Sequence, residues 1–277
     1  MRAIATAATV LICVTGMRAQ TSGGQQSYET VFYPSGAMKI EAYVYKPEGA
    51  GPFPAVIYNH GSRMQDEREE RPFAYVGSLL RANGYVVVVP ERRGYGKSDG
   101  VPFGKAVGED RGTRFVARVQ EETDDVLAAM EFLKTLPYAD QTRIGVMGWS
   151  FGGIISVFAA SRSSAFQAVV DQAGAALTWD RSPEMQKALK EAAGKIRVPL
   201  LGMVAENDRT TESVRAVVRE AEQHGMAAKL IVYPAFTPRE NAGAVAPGHM
   251  LFGREGWRIW EADVREFLGN YLDAQKR

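Results

Sequence analysis

The sequence predicts an α/β fold: a mostly parallel, twisted sheet with an antiparallel hairpin at its N-terminal edge, helices on both faces and a minimal cap. Three observations lead to this prediction. An early stretch alternates apolar and polar residues, continuous apolar runs follow it, and segments of helical periodicity separate those runs. Alternation is typical of a half-exposed antiparallel strand, whereas a continuous apolar run suits a parallel strand covered on both faces. Strands that alternate with helices are expected to build a layered α/β sheet.

The predicted hairpin covers residues 28–46, where one face of the second strand is apolar: Met38, Ile40, Ala42 and Val44. The intervening residues, Lys39, Glu41, Tyr43 and Tyr45, form the other face. The segment Pro34-Ser35-Gly36 provides the turn residues between the two strands.

Six later apolar runs are the predicted parallel strands, at residues 55–58, 85–89, 143–147, 168–170, 200–204 and 230–233. Apolar residues at helical spacing predict helices between and after these strands, starting near Phe73, Val119, Val214 and Trp257. We expect Asn83-Gly84 to end the first helix and Pro137 to limit the second. The only room for a cap is the short segment 176–197.

Residues 1–19 have the pattern of an export signal, with a basic start, an apolar stretch and small residues behind it. The apolar stretch is too short to span a bilayer as a permanent helix. A buried N-terminal helix is the alternative, but residues 20–27 have the composition of a flexible spacer. We therefore expect an exported protein, periplasmic or secreted, in which residues 28–277 form one domain.

Composition excludes several classes of function. The 277 residues are 45% hydrophobic and carry a formal net charge of +1, without a basic stripe that would attract nucleic acid. The single cysteine, Cys13, lies in the predicted signal, so we expect no disulfide and no thiol chemistry in the mature chain. A zinc site is not expected either, because few cysteine and histidine ligands remain. The segment Gly96-Lys97-Ser98 resembles the end of a phosphate-binding loop, but Glu91 stands where that loop needs a glycine.

The most informative motif is Gly-Trp-Ser-Phe-Gly at residues 148–152. It follows a predicted strand and opens into a small, apolar helix, which is the setting of a nucleophile elbow with Ser150 at its tip. The flanking glycines are expected because side chains there would collide with the neighbouring strand and helix. Ser150 is therefore the candidate nucleophile.

A serine hydroxyl needs a base within hydrogen-bond reach and a carboxylate that orients this base. Of the three histidines, His249 lies in a loop after the last predicted strand. Such loops stand at the carboxyl edge of a parallel sheet, where ligands bind, so His249 is the candidate base. We expect His60 to shape the loop beneath the nucleophile and His224 to lie at the end of a surface helix. Asp208, after the strand at 200–204, is the candidate orienting acid.

Two other carboxylates remain open as the orienting acid. Asp171 follows the preceding strand, and Glu206 lies two residues before Asp208. The order serine, acid, histidine along the chain is the one expected of α/β-hydrolases. For the oxyanion hole we expect the backbone N–H of Phe151, at a helix start, and that of Ser62, in the loop after the first parallel strand.

These motifs together resemble the α/β-hydrolases of the dienelactone-hydrolase-like and prolyl-oligopeptidase-like group. The matching segments are Asn59-His60-Gly61-Ser62, residues 93–100, residues 148–153, Glu206-Asn207-Asp208 and Gly248-His249. Dienelactone hydrolases proper use a cysteine nucleophile, so Ser150 favours general ester hydrolysis over the dienelactone substrate. The loop 93–100 is interpreted as a glycine-rich structural turn that braces the site.

The sequence thus predicts a cofactor-independent serine esterase acting on a small-molecule or polymeric ester through an acyl-enzyme intermediate. No nucleic acid and no stable membrane span are expected, and the oligomeric state stays open. Candidate apolar pocket residues are Trp149, Phe151, Trp179 and Met250. A peptidase of the prolyl-oligopeptidase type and an inactive hydrolase fold that serves as a binding module are the alternatives.

Overall fold

The computed structural model describes residues 27–63, 67–110, 112–240 and 246–273. The predicted export signal at residues 1–19, with Cys13, lies outside the described residues, as does the predicted spacer apart from its last residue.

The described residues form one eight-stranded sheet in the order β1-β2-β4-β3-β5-β6-β7-β8. The strands are β1 (Glu29–Ser35), β2 (Met38–Tyr45), β3 (Phe53–Asn59), β4 (Val86–Glu91), β5 (Ala139–Trp149), β6 (Phe166–Gln172), β7 (Leu200–Ala205) and β8 (Ala228–Tyr233). β2 pairs antiparallel with both β1 and β4, and every other neighbouring pair is parallel. The predicted mostly parallel sheet with an antiparallel hairpin is confirmed.

The hairpin turn depends on Gly36, whose φ of 58° lies in the left-handed region that glycine tolerates best. The apolar face of β2 that the alternation predicted is buried, but the opposite face is buried as well: Glu41, Tyr43 and Tyr45 are each 0% exposed. The reason is the position of β2 inside the sheet, between β1 and β4, with one apolar core on each face and the loop at Lys97 over Glu41.

Seven helices and two 3-10 segments surround the sheet in the described ranges. The helices are α1 (Ala74–Ala82), α2 (Phe103–Val107), α3 (Thr113–Leu133), α4 (Phe151–Arg162), α5 (Pro183–Ala193), α6 (Glu212–Gln223) and α7 (Trp257–Leu272), and the 3-10 segments are Trp179–Arg181 and Pro247–Phe252. One apolar core packs α2 to α6 against one face of the sheet, and a second packs α1 and α7 against the other. None of the helices in the described part of the chain is long and apolar enough to cross a membrane.

The segment predicted as the only room for a cap becomes part of the helical layer. α5 packs between α4 and α6, and its residues Met185 and Leu189 are fully buried in the core of that face. Because α5 belongs to the layer, the site at the carboxyl edge of the sheet is flanked by loops and by the short helix α2, which the sequence did not predict.

Candidate active site

Ser150 occupies a strained turn between β5 and α4. Its backbone has φ 59° and ψ −120°, a combination that non-glycine residues rarely adopt and that is found at functional sites. Its N–H donates to the carbonyl oxygen of Gln172 at 2.8 Å, which ties the turn to the end of β6. This turn lifts the hydroxyl clear of the strand and presents it at the carboxyl edge of the sheet.

The two flanking glycines are needed for close backbone contact. A methyl group on Gly148 would overlap the carbonyl oxygen of Gly152, and one on Gly152 would overlap the carbonyl oxygen of Asn59 at the end of β3. The strand-turn-helix unit can therefore close only with glycine at both positions, as the motif predicts.

The structure brings the three candidate residues of the triad together. Nε2 of His249 lies 2.8 Å from Oγ of Ser150, and Nδ1 of His249 lies 2.8 Å from Oδ2 of Asp208. The imidazole is 5% exposed and the aspartate residue 7%, so water competes little for these bonds. With Nδ1–H donating to the carboxylate, Nε2 has a lone pair for the serine hydroxyl, which is the arrangement that general-base activation requires.

A second set of hydrogen bonds fixes the loops that carry Asp208 and His249. The amide side chain of Asn207 bonds both backbone groups of Phe236, at 2.9 Å each, and the carbonyl oxygen of Asn207 accepts from the N–H of Gly248. Nε1 of Trp149 donates to the carbonyl oxygen of His249 at 3.0 Å. These roles have no signal in the sequence, because each bond joins segments that are distant along the chain.

The two rival carboxylates lie elsewhere. Glu206 is exposed, and its backbone N–H continues the pairing of β7 with the carbonyl oxygen of Tyr233. Asp171 is fully buried, with Oδ1 accepting from the N–H of Gly174 at 2.8 Å and Oδ2 without a hydrogen-bond partner among the residues that the structure describes. This burial raises the pKa of Asp171 to about 7.

The two other histidines, His60 and His224, do not take part in the hydrogen bonds between Ser150, His249 and Asp208. His60 is fully buried, Nδ1 lies 2.6 Å from the carbonyl oxygen of Gly61, and the ring stacks on Phe73. Burial, and next the nearby cation of Arg92, hold the pKa of His60 well below its usual range, so the ring is neutral. His224 lies exposed at the end of α6, where Nδ1 is 2.8 Å from the carbonyl oxygen of Glu220.

Two residues, Phe151 and Ser62, border the space in front of Ser150. Phe151 is the first residue of α4, so the helix offers no partner for its N–H. Ser62 is exposed and lines the same pocket as Ser150. Gly61 passes so close that a methyl group on it would lie 3.3 Å from Cβ of Ser150. The backbone N–H groups of Phe151 and Ser62 are the two oxyanion donors that the sequence predicts.

Buried charged side chains hold the loop that follows β3. Arg92, itself fully buried, donates to the carbonyl oxygen of His60 and to Glu122, at 2.8 Å each. Glu122 also accepts from Arg118 at 2.6 Å. The segment 93–100 is tied in by a bidentate ion pair between Arg93 and Asp125. It has the role of a structural turn, as its sequence indicates.

A pocket of about 130 Å³ opens beside Ser150. Apolar side chains make up most of its wall: Phe103, Phe115, Phe151, Ile154, Ala175 and Leu177. Of the four residues expected to form a pocket wall, Phe151 lines this one. Trp149 instead packs beside the imidazole of His249, with 5.7 Å between the ring centres, and Trp179 is buried in the core. Periodicity identified Phe103 and Phe115 only as apolar residues, so their place in the pocket was missed.

Two larger, open clefts of about 510 and 550 Å³ flank α5 and contain none of the candidate site residues. Within the described ranges, no cluster of His, Cys, Asp and Glu side chains has the spacing to hold a metal ion.

Comparison with known proteins agrees with the fold and with the family resemblance. A family model for the dienelactone hydrolase family matches residues 40–250. The quorum-quenching protein AidA of Acinetobacter baumannii is 27% identical over 142 residues, which cover 51% of this chain and 42% of that protein. A protein assigned as a carboxymethylenebutenolidase in Methylorubrum extorquens is 28% identical over 211 residues, covering 70% of this chain and 66% of that protein.

Solved structures show the same fold. The acylaminoacyl peptidase of Pyrococcus horikoshii superposes with a TM-score of 0.69 at 19% identity, covering 90% of this chain and 43% of that protein. An esterase of Pyrococcus furiosus superposes with a TM-score of 0.64 at 18% identity, covering 92% of this chain and 97% of that protein. The chain thus spans less than half the length of AidA and of the acylaminoacyl peptidase, and the neighbours include both peptidases and esterases.

Proposed function

Because this chain belongs to the dienelactone hydrolase family, we propose that it is a serine hydrolase that cleaves carboxylic esters through an acyl-enzyme intermediate. The observation that carries the proposal is the continuous hydrogen-bonded chain from Ser150 through His249 to Asp208, with both bonds at 2.8 Å. Such a chain activates a hydroxyl that is otherwise a poor nucleophile at neutral pH.

In the first half of the reaction, Nε2 of His249 takes the proton of Ser150 while Oγ bonds to the ester carbonyl carbon. The resulting imidazolium is stabilised by the carboxylate of Asp208, which also holds the ring in the required tautomer. When the tetrahedral intermediate collapses, the imidazolium gives its proton to the departing alcohol oxygen, and the acyl group stays on Ser150.

In the second half, water replaces the alcohol. His249 removes a proton from the water as it attacks the acyl carbonyl, and the imidazolium returns that proton to Oγ of Ser150, releasing the carboxylic acid. In both steps the carbonyl oxygen becomes negatively charged, and we assign the stabilisation of this charge to the N–H groups of Phe151 and Ser62. Donors fixed at such positions typically contribute about 10²–10³-fold each to the rate.

The direct test is Ser150→Ala with a short-chain aryl ester as substrate. Loss of a triad nucleophile is expected to lower kcat by about 10⁴–10⁶-fold. Ser161→Ala is the matched control, because Ser161 lies on the same helix as Phe151 and its hydroxyl donates to the carbonyl oxygen of Phe158. Turnover by Ser150→Ala equal to that of the control would rule out the proposed role of Ser150.

Peptide cleavage is the second candidate, favoured by the peptidases among the structural neighbours. An amide is harder to cleave because its nitrogen must be protonated before it leaves, so the two candidates separate on matched leaving groups. Aryl esters and aminoacyl anilides with the same acyl part are compared by kcat/KM. Anilide turnover at the level of the ester would favour the peptidase.

Export remains part of the proposal, because residues 1–19 have the pattern of a cleavable signal. N-terminal sequencing of the protein recovered from its native cells tests this directly. A mature chain that still begins at Met1 would contradict it.

A further inference from the structure

We propose that the pocket beside Ser150 binds the acyl part of the substrate and admits a single aromatic ring or a short apolar chain, with Phe103 as the residue that sets this limit. The inference rests on the proposed ester hydrolysis and adds the class of acyl group to it. Four features of the pocket carry it: its position, its wall, its polarity and its size.

The position of the pocket decides which half of an ester it takes. The alcohol oxygen must leave beside Nε2 of His249, because that atom returns the proton. The described residues that line the pocket come from α2, α3, α4, the loop at Ser62 and the segment 175–178. None comes from the loop that carries His249, so the group that enters the pocket lies on the far side of Ser150 from the leaving alcohol.

The wall of the pocket is built from three phenylalanine rings that brace one another. The ring centre of Phe103 lies 4.8 Å from that of Phe151 and 6.1 Å from that of Phe115, in edge-to-face geometry. Phe115 and Phe151 stack at 5.7 Å. Each of the three residues is at most 3% exposed, so the rings are held by close packing and leave the pocket little freedom to widen.

The polarity of the lining selects uncharged acyl groups. Apart from Ser150, the polar residues at the pocket within the described part of the chain are Ser62 and Thr178, and neither of these carries a charge. A carboxylate or an ammonium group on the acyl chain would lose its hydration there without gaining a partner of opposite charge. An apolar acyl group is stabilised by the same transfer, and the stabilisation grows with each methylene that is removed from water.

The size of the pocket sets the upper limit. An apolar cavity of roughly 150 Å³ lined by Leu, Ile and Phe takes up one benzene molecule. The pocket beside Ser150, at about 130 Å³, is of the same class. It therefore fits a benzoyl group or a chain of about four to six carbons, and a longer chain must stay outside or force the phenylalanine rings apart.

Phe103 is the side chain whose removal enlarges the pocket most directly. It comes from the five-residue helix α2 and closes the pocket against Phe151. Leu177, half-buried on another side, offers the opposite change, because a larger side chain there would fill the cavity.

The test uses 4-nitrophenyl esters from acetyl to decanoyl, together with the benzoyl ester, and measures kcat/KM for each. In the wild type we expect the highest values for the butanoyl, hexanoyl and benzoyl esters and a fall of about tenfold or more from hexanoyl to decanoyl, since one misplaced methylene in an apolar pocket costs about tenfold or more. A profile that is flat, or that rises toward decanoyl, would overturn the proposal without any variant.

Variants then test the two residues. Phe103→Ala is expected to raise the decanoyl-to-butanoyl ratio of kcat/KM by about tenfold or more, and Leu177→Trp to leave acetyl as the preferred acyl group. Phe32→Ala is the matched control, because Phe32 lies on the edge strand β1, is 39% exposed and should leave the profile unchanged. A folded Phe103→Ala protein with the wild-type profile would contradict the role of Phe103. If Phe103→Ala does not fold, Leu177→Trp decides, because a wild-type profile in that variant also contradicts the proposal.

The proposed function and the assignment of the pocket are contradicted by different results. If no ester is turned over in a manner that depends on Ser150, the proposed function is wrong. If turnover depends on Ser150 but long or charged acyl groups are preferred, the function stands and the assignment of the pocket is wrong.

Discussion

Trp149 and His249 are directly joined: Nε1 of Trp149 donates to the backbone carbonyl oxygen of His249 at 3.0 Å, and their ring centres lie 5.7 Å apart. Trp149 immediately precedes Ser150, so the strand that presents the proposed nucleophile also holds the loop that carries the proposed base. Ser150 and His249 are 99 residues apart along the chain, and this bond fixes their relative position beside the bond between their own side chains.

Replacement of Trp149 by Phe removes that bond while keeping an aromatic ring. A net hydrogen bond is worth about 0.5–1.5 kcal/mol, so we expect kcat for a short-chain aryl ester to fall by about threefold to tenfold with little change in KM. Trp257→Phe on α7 is the matched exchange. A variant of Trp149 with the kcat of the control would show that the bond does not position His249.

Asp208→Asn tests the proposed orienting carboxylate. The amide can present its NH₂ group to Nδ1, which favours the tautomer with the proton on Nε2 and removes the acceptor for the Ser150 hydroxyl. We expect kcat to fall by about 10³–10⁴-fold, as is typical for this change in a serine triad. Glu206→Gln, two residues away and exposed, is expected to keep wild-type kcat; equal effects of the two changes would contradict the assignment.

Ser150→Gly is expected to stabilise the fold while it abolishes activity. The φ of 59° and ψ of −120° at Ser150 are strained for any residue with a Cβ atom, at a cost of about 1–3 kcal/mol. Glycine relieves that strain. Ser150→Ala also removes the hydroxyl, but the alanine keeps its Cβ atom and therefore the strain. Urea unfolding of the two variants measures the difference, and a Gly variant no more stable than the Ala variant would exclude strain at this turn.

Asp171 predicts a pH dependence of stability. Burial raises its folded-state pKa from 3.8 to about 7, so between these values the folded state holds a proton that the unfolded state has lost. Its contribution to the free energy of unfolding therefore decreases as pH rises from about 4 to 7 and is constant above that range.

Asp171→Asn mimics the protonated acid and removes this titration. Between pH 5 and pH 8, we expect the wild type to lose about 2–3 kcal/mol more of its free energy of unfolding than the Asn variant does. Urea unfolding at the two pH values measures it. The variant serves as the reference because Glu91, whose pKa burial also raises to about 7, titrates in both proteins. Parallel pH profiles would show that Asp171 is ionised in the fold at pH 5.

Local patterns were sufficient for the sheet and for the nucleophile turn. The Gly-Trp-Ser-Phe-Gly motif depends on backbone contacts within a few residues and on the adjacent strand. The spacing of its two glycines around Ser150 is therefore enough to predict the turn. The continuous apolar runs likewise marked each parallel strand, because the central positions of a strand covered on both faces are mostly apolar. α2 was missed, since five residues are too few to display a helical period.

The sequence favoured Asp208 as the orienting acid but left Asp171 and Glu206 open, because all three follow predicted parallel strands. The sheet order separates them: β6 lies next to β5, and its register pairs Asp171 with Gly148 and turns the carboxyl group toward Gly174 at the start of the following loop. Asp208 lies beyond the end of β7, one strand further away, where its loop reaches His249.

By itself, then, the sequence determined the layered α/β architecture and the serine on its strained turn, since both follow from the period of apolar residues and from short-range backbone sterics. Only the tertiary structure decided which carboxylate meets the imidazole and which three phenylalanines enclose the pocket beside Ser150. Those contacts join residues up to about a hundred positions apart, and their geometry depends on strand order and side-chain packing, neither of which leaves a local trace in the chain.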